Sequence, residues 1–161
     1  MPLSKLREFL DRNQIKYLVI SHSVAYTAQG IAALAHIKGK ELAKTVMVMI
    51  DGRLAMAVVP ASFRVDLYRL KKYLGAGTVE LASEQEFRGS FPDCETGSMP
   101  PFGNLYGMDV FADEGLADDK EIAFNAGTHR ELVRMSFADF QRMANPILLP
   151  LAARHVAAHV A

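Results

Sequence analysis

Residues 44–59 have the sequence KTVMVMIDGRLAMAVV, in which two apolar runs flank Asp51-Gly52. Asp-Gly between apolar runs is a strong short-range signal for a β-hairpin, because both residues tolerate the positive φ angles of a tight two-residue turn. The sequence therefore predicts antiparallel strands over residues 44–50 and 54–59. Their alternating Val and Met side chains are more typical of a protein core than of a cofactor site.

Shorter elements surround this hairpin on both sides. Apolar spacing predicts helices at 3–13, 27–36, 66–74 and 136–144, and a capping box at 83–86 predicts another short helix. Short strands are predicted at 17–20, 78–81, 108–112, 121–125 and 131–135. A long Gly- and Pro-rich loop is expected at 88–107. Residues 147–161 form a weakly patterned tail, and a helix is expected there from about Leu151.

The order of these elements predicts the fold class. Helices lie mainly at the two ends, and short, hairpin-like connections join the central strands, including a connection through Gly115 between 108–112 and 121–125. This order favours one α+β domain over 1–161, with a curved, mixed, mostly antiparallel sheet flanked by helices. The sequence contains no internal repeat and no interdomain linker.

Composition narrows the class of function. The chain has 161 residues, 50% of them hydrophobic, and 18 basic and 18 acidic side chains give a net charge of zero. Neutrality argues against a broad DNA-coating surface, although it leaves room for a local basic patch. The apolar stretches are strand-sized, so no membrane span or signal-peptide core is expected. Cys94 is the only cysteine, so no intramolecular disulfide is possible and a cytoplasmic location is expected.

Lys44 stands at the head of a strand that is apolar on both faces. Its ammonium group must reach water or an anion, because burial of an unpaired charge is costly. Two interpretations are open: the side chain extends along the surface to water, or it contacts a phosphate or carboxylate of a ligand.

The loop Gly97-Ser98-Met99-Pro100-Pro101 is a second candidate for function. Glycine allows close approach of a ligand, whereas the prolines stiffen the loop and donate no hydrogen bond. Such a loop can direct its remaining N–H groups at an oxyanion, or it can be a rigid surface turn.

His129 follows Asn125-Ala126-Gly127-Thr128 and is the third candidate. A single loop histidine is weak support for a site. The sequence has no His-Glu-x-x-His or Cys-x-x-Cys motif, no nucleophile elbow and no phosphate-binding lysine loop, so neither a metal nor a cofactor is expected.

Taken in order, these segments resemble the YbaK-type aminoacyl-tRNA deacylase family, which includes the editing domain of bacterial prolyl-tRNA synthetases and its free-standing relatives. The resemblance covers residues 3–145, leaves the tail 146–161 outside, and rests on the following segments: Thr27-Ala28, Gly39 to Val46, Asp51-Gly52, Val58 to Ala61, Gly97 to Pro101, and Asn125 to His129. It implies a curved mixed sheet and a free-standing hydrolase that cleaves the ester of mischarged aminoacyl-tRNA, with a tRNA(Pro)-type substrate.

The resemblance also implies roles for single residues. Lys44 would hold the backbone phosphate near the tRNA 3′ end, and N–H groups at Gly97 would hold the substrate carbonyl. His129 would shape the amino-acid pocket, and substrate contacts are further implied for Thr27, Ala28, Ser98, Met99 and Pro101. The family is thought to use a ribose hydroxyl of the substrate to activate water, so no metal or side-chain nucleophile is expected. The implied partners are the mischarged tRNA 3′ end and an aminoacyl-tRNA synthetase, with no membrane and no DNA.

Two alternatives stay open beside this hypothesis. The chain could be a non-catalytic module that binds an aminoacyl or nucleotide ligand, or a hydrolase of another small ester. Neither the amino acid removed nor the tRNA nor the oligomeric state follows from the sequence.

Overall fold

The fold is taken from a computed structural model that describes residues 3–21 and 41–154. The helices in these ranges are α1 (Ser4–Arg12), α2 (Leu67–Leu74), α3 (Glu84–Phe87) and α4 (Phe137–Ala144). The strands are β1 (Tyr17–Ser21), β2 (Ala43–Ile50), β3 (Arg53–Pro60), β4 (Phe63–Val65), β5 (Val79–Leu81), β6 (Asp109–Asp113), β7 (Glu121–Asn125), β8 (Glu131–Ser136), β9 (Ile147–Leu149) and β10 (Ala152–Arg154). Short 3₁₀ turns lie at Arg88–Ser90, Gly103–Leu105 and Glu114–Asp118. The helix predicted at 27–36 lies outside the described residues.

The β2–β3 hairpin is formed as predicted. The two strands pair antiparallel from Ala43↔Pro60 to Ile50↔Arg53. Asp51 and Gly52 have φ angles of 49° and 81°, as a tight hairpin turn requires. The Asp51 carboxylate accepts a 2.8 Å hydrogen bond from the Thr78 N–H, which fixes the start of β5 against the turn.

The described strands divide into a five-stranded sheet, ordered β5-β2-β3-β6-β9, a three-stranded sheet, ordered β1-β8-β7, and a two-stranded pair of β4 and β10. The first is mixed, because β6 runs parallel to β3 and to β9, and the second is antiparallel. The α+β class and the mixed, mostly antiparallel pairing are confirmed. The hairpin-like connection through Gly115 is wrong: the 3₁₀ turn Glu114–Asp118 carries the chain from β6 to β7 in the other sheet.

The helix expected from about Leu151 is wrong for the described residues 151–154, where a strand forms, and the rest of that expected helix lies outside the described residues. β9 pairs with β6, and β10 pairs with β4, a strand that the sequence analysis did not predict. Asp113, which is buried, holds the bend between β9 and β10: its Oδ1 accepts hydrogen bonds from the N–H groups of Leu151 (3.0 Å) and Ala152 (2.9 Å). These partners lie about 40 positions apart in the chain, so local sequence could not reveal them.

Two apolar clusters lie on opposite faces of the five-stranded sheet. The first contains Met47 and Met56, and α1 and α4 pack into it through Leu6, Leu10 and Phe140. The second contains Val48 and Ala57, and α2 packs into it through Leu70. Because successive strand residues point to opposite faces, even-numbered positions of β2 face the second cluster.

Candidate functional site

Reciprocal backbone hydrogen bonds join the Gly97 loop to the turn between β7 and β8. The Glu95 N–H donates to the Gly127 carbonyl at 2.8 Å, and the Gly127 N–H donates to the Ser98 carbonyl at 2.9 Å. Gly127 has a φ angle of 96°, and a Cβ there would lie 3.1 Å from the Leu3 Cβ. Two segments about 30 residues apart in the chain are thereby fixed as one unit.

Gly97 occupies the exposed corner of a tight turn. The Ser98 N–H donates to the Glu95 carbonyl at 3.1 Å, and Gly97 between them has a φ angle of 86°, which L-residues rarely adopt. Because the turn uses the Ser98 N–H, that group does not face a ligand. Within residues 3–21 and 41–154, the N–H groups of Gly97 and Met99 have no hydrogen-bond partner.

His129 lies directly against this turn. An ideal Cβ at Gly97 would be 3.6 Å from the His129 Cε1. The His129 side chain is buried, its backbone N–H donates to the Glu95 carboxylate at 2.7 Å, and its Nε2 lies 2.7 Å from the Thr96 carbonyl oxygen. A carbonyl oxygen only accepts, so Nε2 carries the proton and donates. Loop and histidine therefore hold each other in one orientation.

The other predicted residues of the loop are buried. Ser98 is fully buried and its hydroxyl donates to the Glu95 carbonyl at 2.6 Å, while Met99 belongs to the first apolar cluster. Pro101 is also buried. These three side chains fix the loop on the core, whereas Gly97 is exposed. Their contacts with substrate stay predictions.

Lys44 is half-buried near the start of β2, opposite Val59 of β3. Burial lowers the pKa of its ammonium group. No hydrogen bond or ion pair of Lys44 is present in the part of the chain that the structure describes. The ammonium group thus lacks a counter-charge among the described residues. This favours the interpretation that Lys44 contacts an anion of a ligand over the interpretation that it extends along the surface to water.

An isolated bridge between the five-stranded and the three-stranded sheet brings the start of β2 beside β7. Leu42 pairs with Ala123 in parallel, and the Ala123 N–H donates to the Glu41 carbonyl at 3.0 Å. Lys44 and Asn125 each follow the bridge by two residues. Asn125 ends β7 and leads through Gly127 to His129, so the segment that carries Lys44 starts beside the strand that leads to the histidine.

Asn125 carries a polar atom to which the sequence analysis assigned no role, although the residue opens the segment Asn125 to His129. Its Oδ1 is buried and has no hydrogen-bond partner among the described residues. An unpaired buried acceptor costs stability, so this oxygen points to a ligand donor. The sequence offered a signal, since a polar residue ends the apolar strand IAF, but only the bridge at Leu42 shows what lies beside it.

Thr27 and Ala28 lie outside the described residues, so their place near this cluster stays a prediction. The described part also holds no group of three or more His, Cys, Asp or Glu side chains suited to bind a metal ion. None of its helices has the length and apolar character needed to cross a membrane.

The model of the aminoacyl-tRNA editing domain matches residues 22–143. The chain belongs to this family. The match includes Lys44, Gly97, Asn125 and His129, and it confirms the predicted family and, at the level of that family, the predicted editing activity.

Two kinds of curated protein are among the relatives of this editing domain. Multifunctional Ser/Thr-tRNA deacylase ProXp-y of Escherichia coli (strain K12) is 28% identical over 153 residues, which cover 90% of this chain and 89% of the relative. Proline–tRNA ligase of Bacillus cytotoxicus is 32% identical over 87 residues, 54% of this chain. The chain spans only 15% of the length of that ligase.

Solved structures show the same fold. A candidate trans-editing enzyme for prolyl tRNA synthetase superposes with a TM-score of 0.79 at 19% identity, covering 92% of this chain and 95% of that one. A hypothetical protein superposes with a TM-score of 0.83 at 19% identity, covering 93% and 100%.

Proposed function

We propose that this editing domain is a deacylase that hydrolyses the ester between a wrong amino acid and the 3′ end of tRNA. The observation that carries the proposal is the rigid unit of Gly97 and His129, in which exposed Gly97 has a backbone N–H without a partner among the described residues and lies beside a buried imidazole. Water adds to the ester carbonyl, the bond to the ribose oxygen breaks, and free amino acid and tRNA leave.

Each group of the site has a role in this proposal. The Gly97 N–H donates to the carbonyl oxygen as negative charge develops on it, and the turn preorganises that donor. Lys44 binds a backbone phosphate near the terminal adenosine, which supplies the missing counter-charge. Asn125 Oδ1 accepts a hydrogen bond from an N–H or O–H group of the substrate. Thr27, Ala28, Ser98, Met99 and Pro101 complete the substrate site.

The proposed substrate is a mischarged tRNA(Pro)-type molecule. The similarity to proline–tRNA ligases supports tRNA(Pro) as the tRNA of the substrate. The near full-length match to a Ser/Thr-tRNA deacylase supports action in trans, with a synthetase as partner. The proposed setting is the cytoplasm, with no membrane and no DNA as partner, and the tail 146–161 is proposed as part of this single domain.

A deacylation panel tests the proposal. Purified protein is mixed with tRNA(Pro) charged separately with serine, threonine, alanine, cysteine or proline, and ester loss is followed under single-turnover conditions. We expect at least one mischarged tRNA to lose its amino acid far faster than in buffer, and Pro-tRNA(Pro) to be spared. Tight binding of these tRNAs without hydrolysis would instead favour the non-catalytic module.

A further inference from the structure

The outward face of α2 is both basic and aromatic. Leu67, Leu70 and Leu74 face the protein, and the opposite side exposes Tyr68 (75% exposed), Tyr73 (56%), Lys71 and Lys72. Residues 67–79 contain three basic and no acidic side chains, in a chain whose charges balance overall. We call Tyr68, Lys71, Lys72 and Tyr73 the α2 surface.

The charges of the α2 surface are not used within the protein. Among the described residues, Lys71 and Lys72 make no ion pair, whereas neighbouring Arg69 lies 3.6 Å from Asp66. Lysines in the last turn of a helix complement its dipole, which gives a structural reason for Lys71 and Lys72. That reason does not explain why two tyrosines stand exposed beside them.

The α2 surface lies on the same side of the five-stranded sheet as Lys44. Leu70 packs into the cluster that contains Val48, and Val48 shares a strand face with Lys44. β5, which follows α2, pairs with the other end of β2 at Ile50. Lys44 and Ile50 are six positions apart along β2, which corresponds to about 20 Å.

We propose that the α2 surface binds the sugar–phosphate backbone of the tRNA acceptor stem, while the 3′ end occupies the site at Lys44 and Gly97. This inference rests on the proposed function for the identity of the RNA. Lysine and arginine neutralise phosphates with release of counterions, and tyrosines stack on sugars and bases at the end of a helix. The contacts are independent of sequence, so they raise affinity for any tRNA presented to the site.

The test compares Lys71→Gln/Lys72→Gln with Arg12→Gln/Lys16→Gln. Glutamine keeps helix propensity and removes charge, and the control pair is exposed at the end of α1, which packs on the opposite face of the sheet. Each protein is measured on an intact mischarged tRNA, on the same aminoacyl ester carried by adenosine alone, and in binding of uncharged tRNA between 0.05 and 1 M salt.

We expect the Lys71→Gln/Lys72→Gln variant to lose about tenfold in kcat/KM on intact tRNA at 0.2 M salt, and the loss should appear as a higher KM. The plot of log binding constant against log salt concentration should become less steep by roughly 1.4–1.8, because two phosphate contacts are lost. Activity of this variant on the adenosine ester stays unchanged, and the control pair behaves like the wild type. Lys71→Arg/Lys72→Arg keeps both charges and therefore keeps the wild-type salt slope.

The inference would be overturned if the Lys71→Gln/Lys72→Gln variant kept the wild-type salt slope, or if it lost as much kcat/KM on the adenosine ester as on intact tRNA. An equal loss of kcat/KM in the control pair would also overturn it. If the wild-type protein hydrolyses none of the esters, the proposed function fails. The slope of uncharged tRNA binding then still decides whether the α2 surface binds RNA.

Discussion

Gly97 shows how a single residue can be fixed by two demands at once. The turn from Glu95 to Ser98 requires its φ angle of 86°, and the His129 ring, 3.6 Å from where a Cβ would be, borders the space in front of it. The sequence predicted the loop from glycine and proline alone. It could not predict that the turn uses the Ser98 N–H, which leaves the N–H groups of exposed Gly97 and of Met99 without a partner among the described residues.

We predict that Gly97→Ala lowers the rate of deacylation by a factor on the order of 10²–10³, the loss typical of removing one oxyanion donor. The positive φ angle adds strain of about 1–2 kcal/mol, which distorts the turn and displaces the N–H. Gly107→Ala is the matched control, since Gly107 has a φ angle of 69° and no atom within 4 Å of an added Cβ. If Gly97→Ala were as active as Gly107→Ala, the Gly97 loop would have only a structural role.

A second prediction at this scale concerns Lys44. Lys44→Met should lower deacylation of tRNA roughly 10- to 100-fold, as expected for a lost charge-assisted hydrogen bond. Thermal stability should stay equal or rise, because the variant no longer buries an unpaired ammonium group. A large drop in the melting temperature together with unchanged activity would make Lys44 a structural residue.

The pH dependence of Lys44 follows from the direction of its pKa. Burial lowers this pKa in the folded protein, so the folded state releases the proton before the unfolded state does as pH rises. Stability should therefore increase with pH between the folded and unfolded pKa values of this group, while phosphate binding weakens there. Lys44→Arg stays charged throughout, so its tRNA binding should lack this decline. Identical pH profiles of tRNA binding for the two proteins would contradict the role.

At the scale of elements, sequence predicted what depends on neighbours along the chain. The β2–β3 turn, the capping box at Ser83 and the end of α2 at Gly75 are all local, and each is formed as predicted. β4, β9 and β10 are three residues long and pair with distant segments, so their own sequences contain too few residues to show a period. The helix expected in the tail failed for this reason.

Asp113 binds the bend between β9 and β10. Its substitution should lower the free energy of unfolding and leave the rate of deacylation unchanged. Asp113→Ala leaves the buried Leu151 N–H without an acceptor, at a cost of about 1–3 kcal/mol, and removes the acceptor of the half-buried Ala152 N–H at a smaller cost. We expect a clear fall in the free energy of unfolding, with unchanged deacylation by the folded fraction. Exposed Asp118→Ala should change stability by less than about 0.5 kcal/mol. A selective loss of activity in Asp113→Ala would connect β10 to the site.

At the scale of the whole molecule, the site lies where the two sheets meet. The bridge between Leu42 and Ala123 brings β2 beside β7, and the bonds at Gly127 add the Gly97 loop to that junction. The expectation of one curved sheet was close enough to predict the fold class. It could not place the start of β2 beside β7, because that neighbourhood arises from the pairing of Leu42 with Ala123, about 80 residues apart in the chain.

The composition of this junction leads to a last prediction, that deacylation proceeds without a metal ion. His129 uses Nε2 as a donor to Thr96, Lys44 is cationic, and Asn125 offers one neutral oxygen, which together make a poor ligand set for zinc. We expect the rate in excess EDTA to match the untreated rate within about twofold, with a zinc hydrolase as positive control for the chelator. His22, His36, His155 and His159 lie outside the described residues, and the measurement on the whole chain includes them. Activity lost in EDTA and restored by zinc would show that such residues complete a metal site, and the roles of Gly97 and Lys44 would then need to be assigned again.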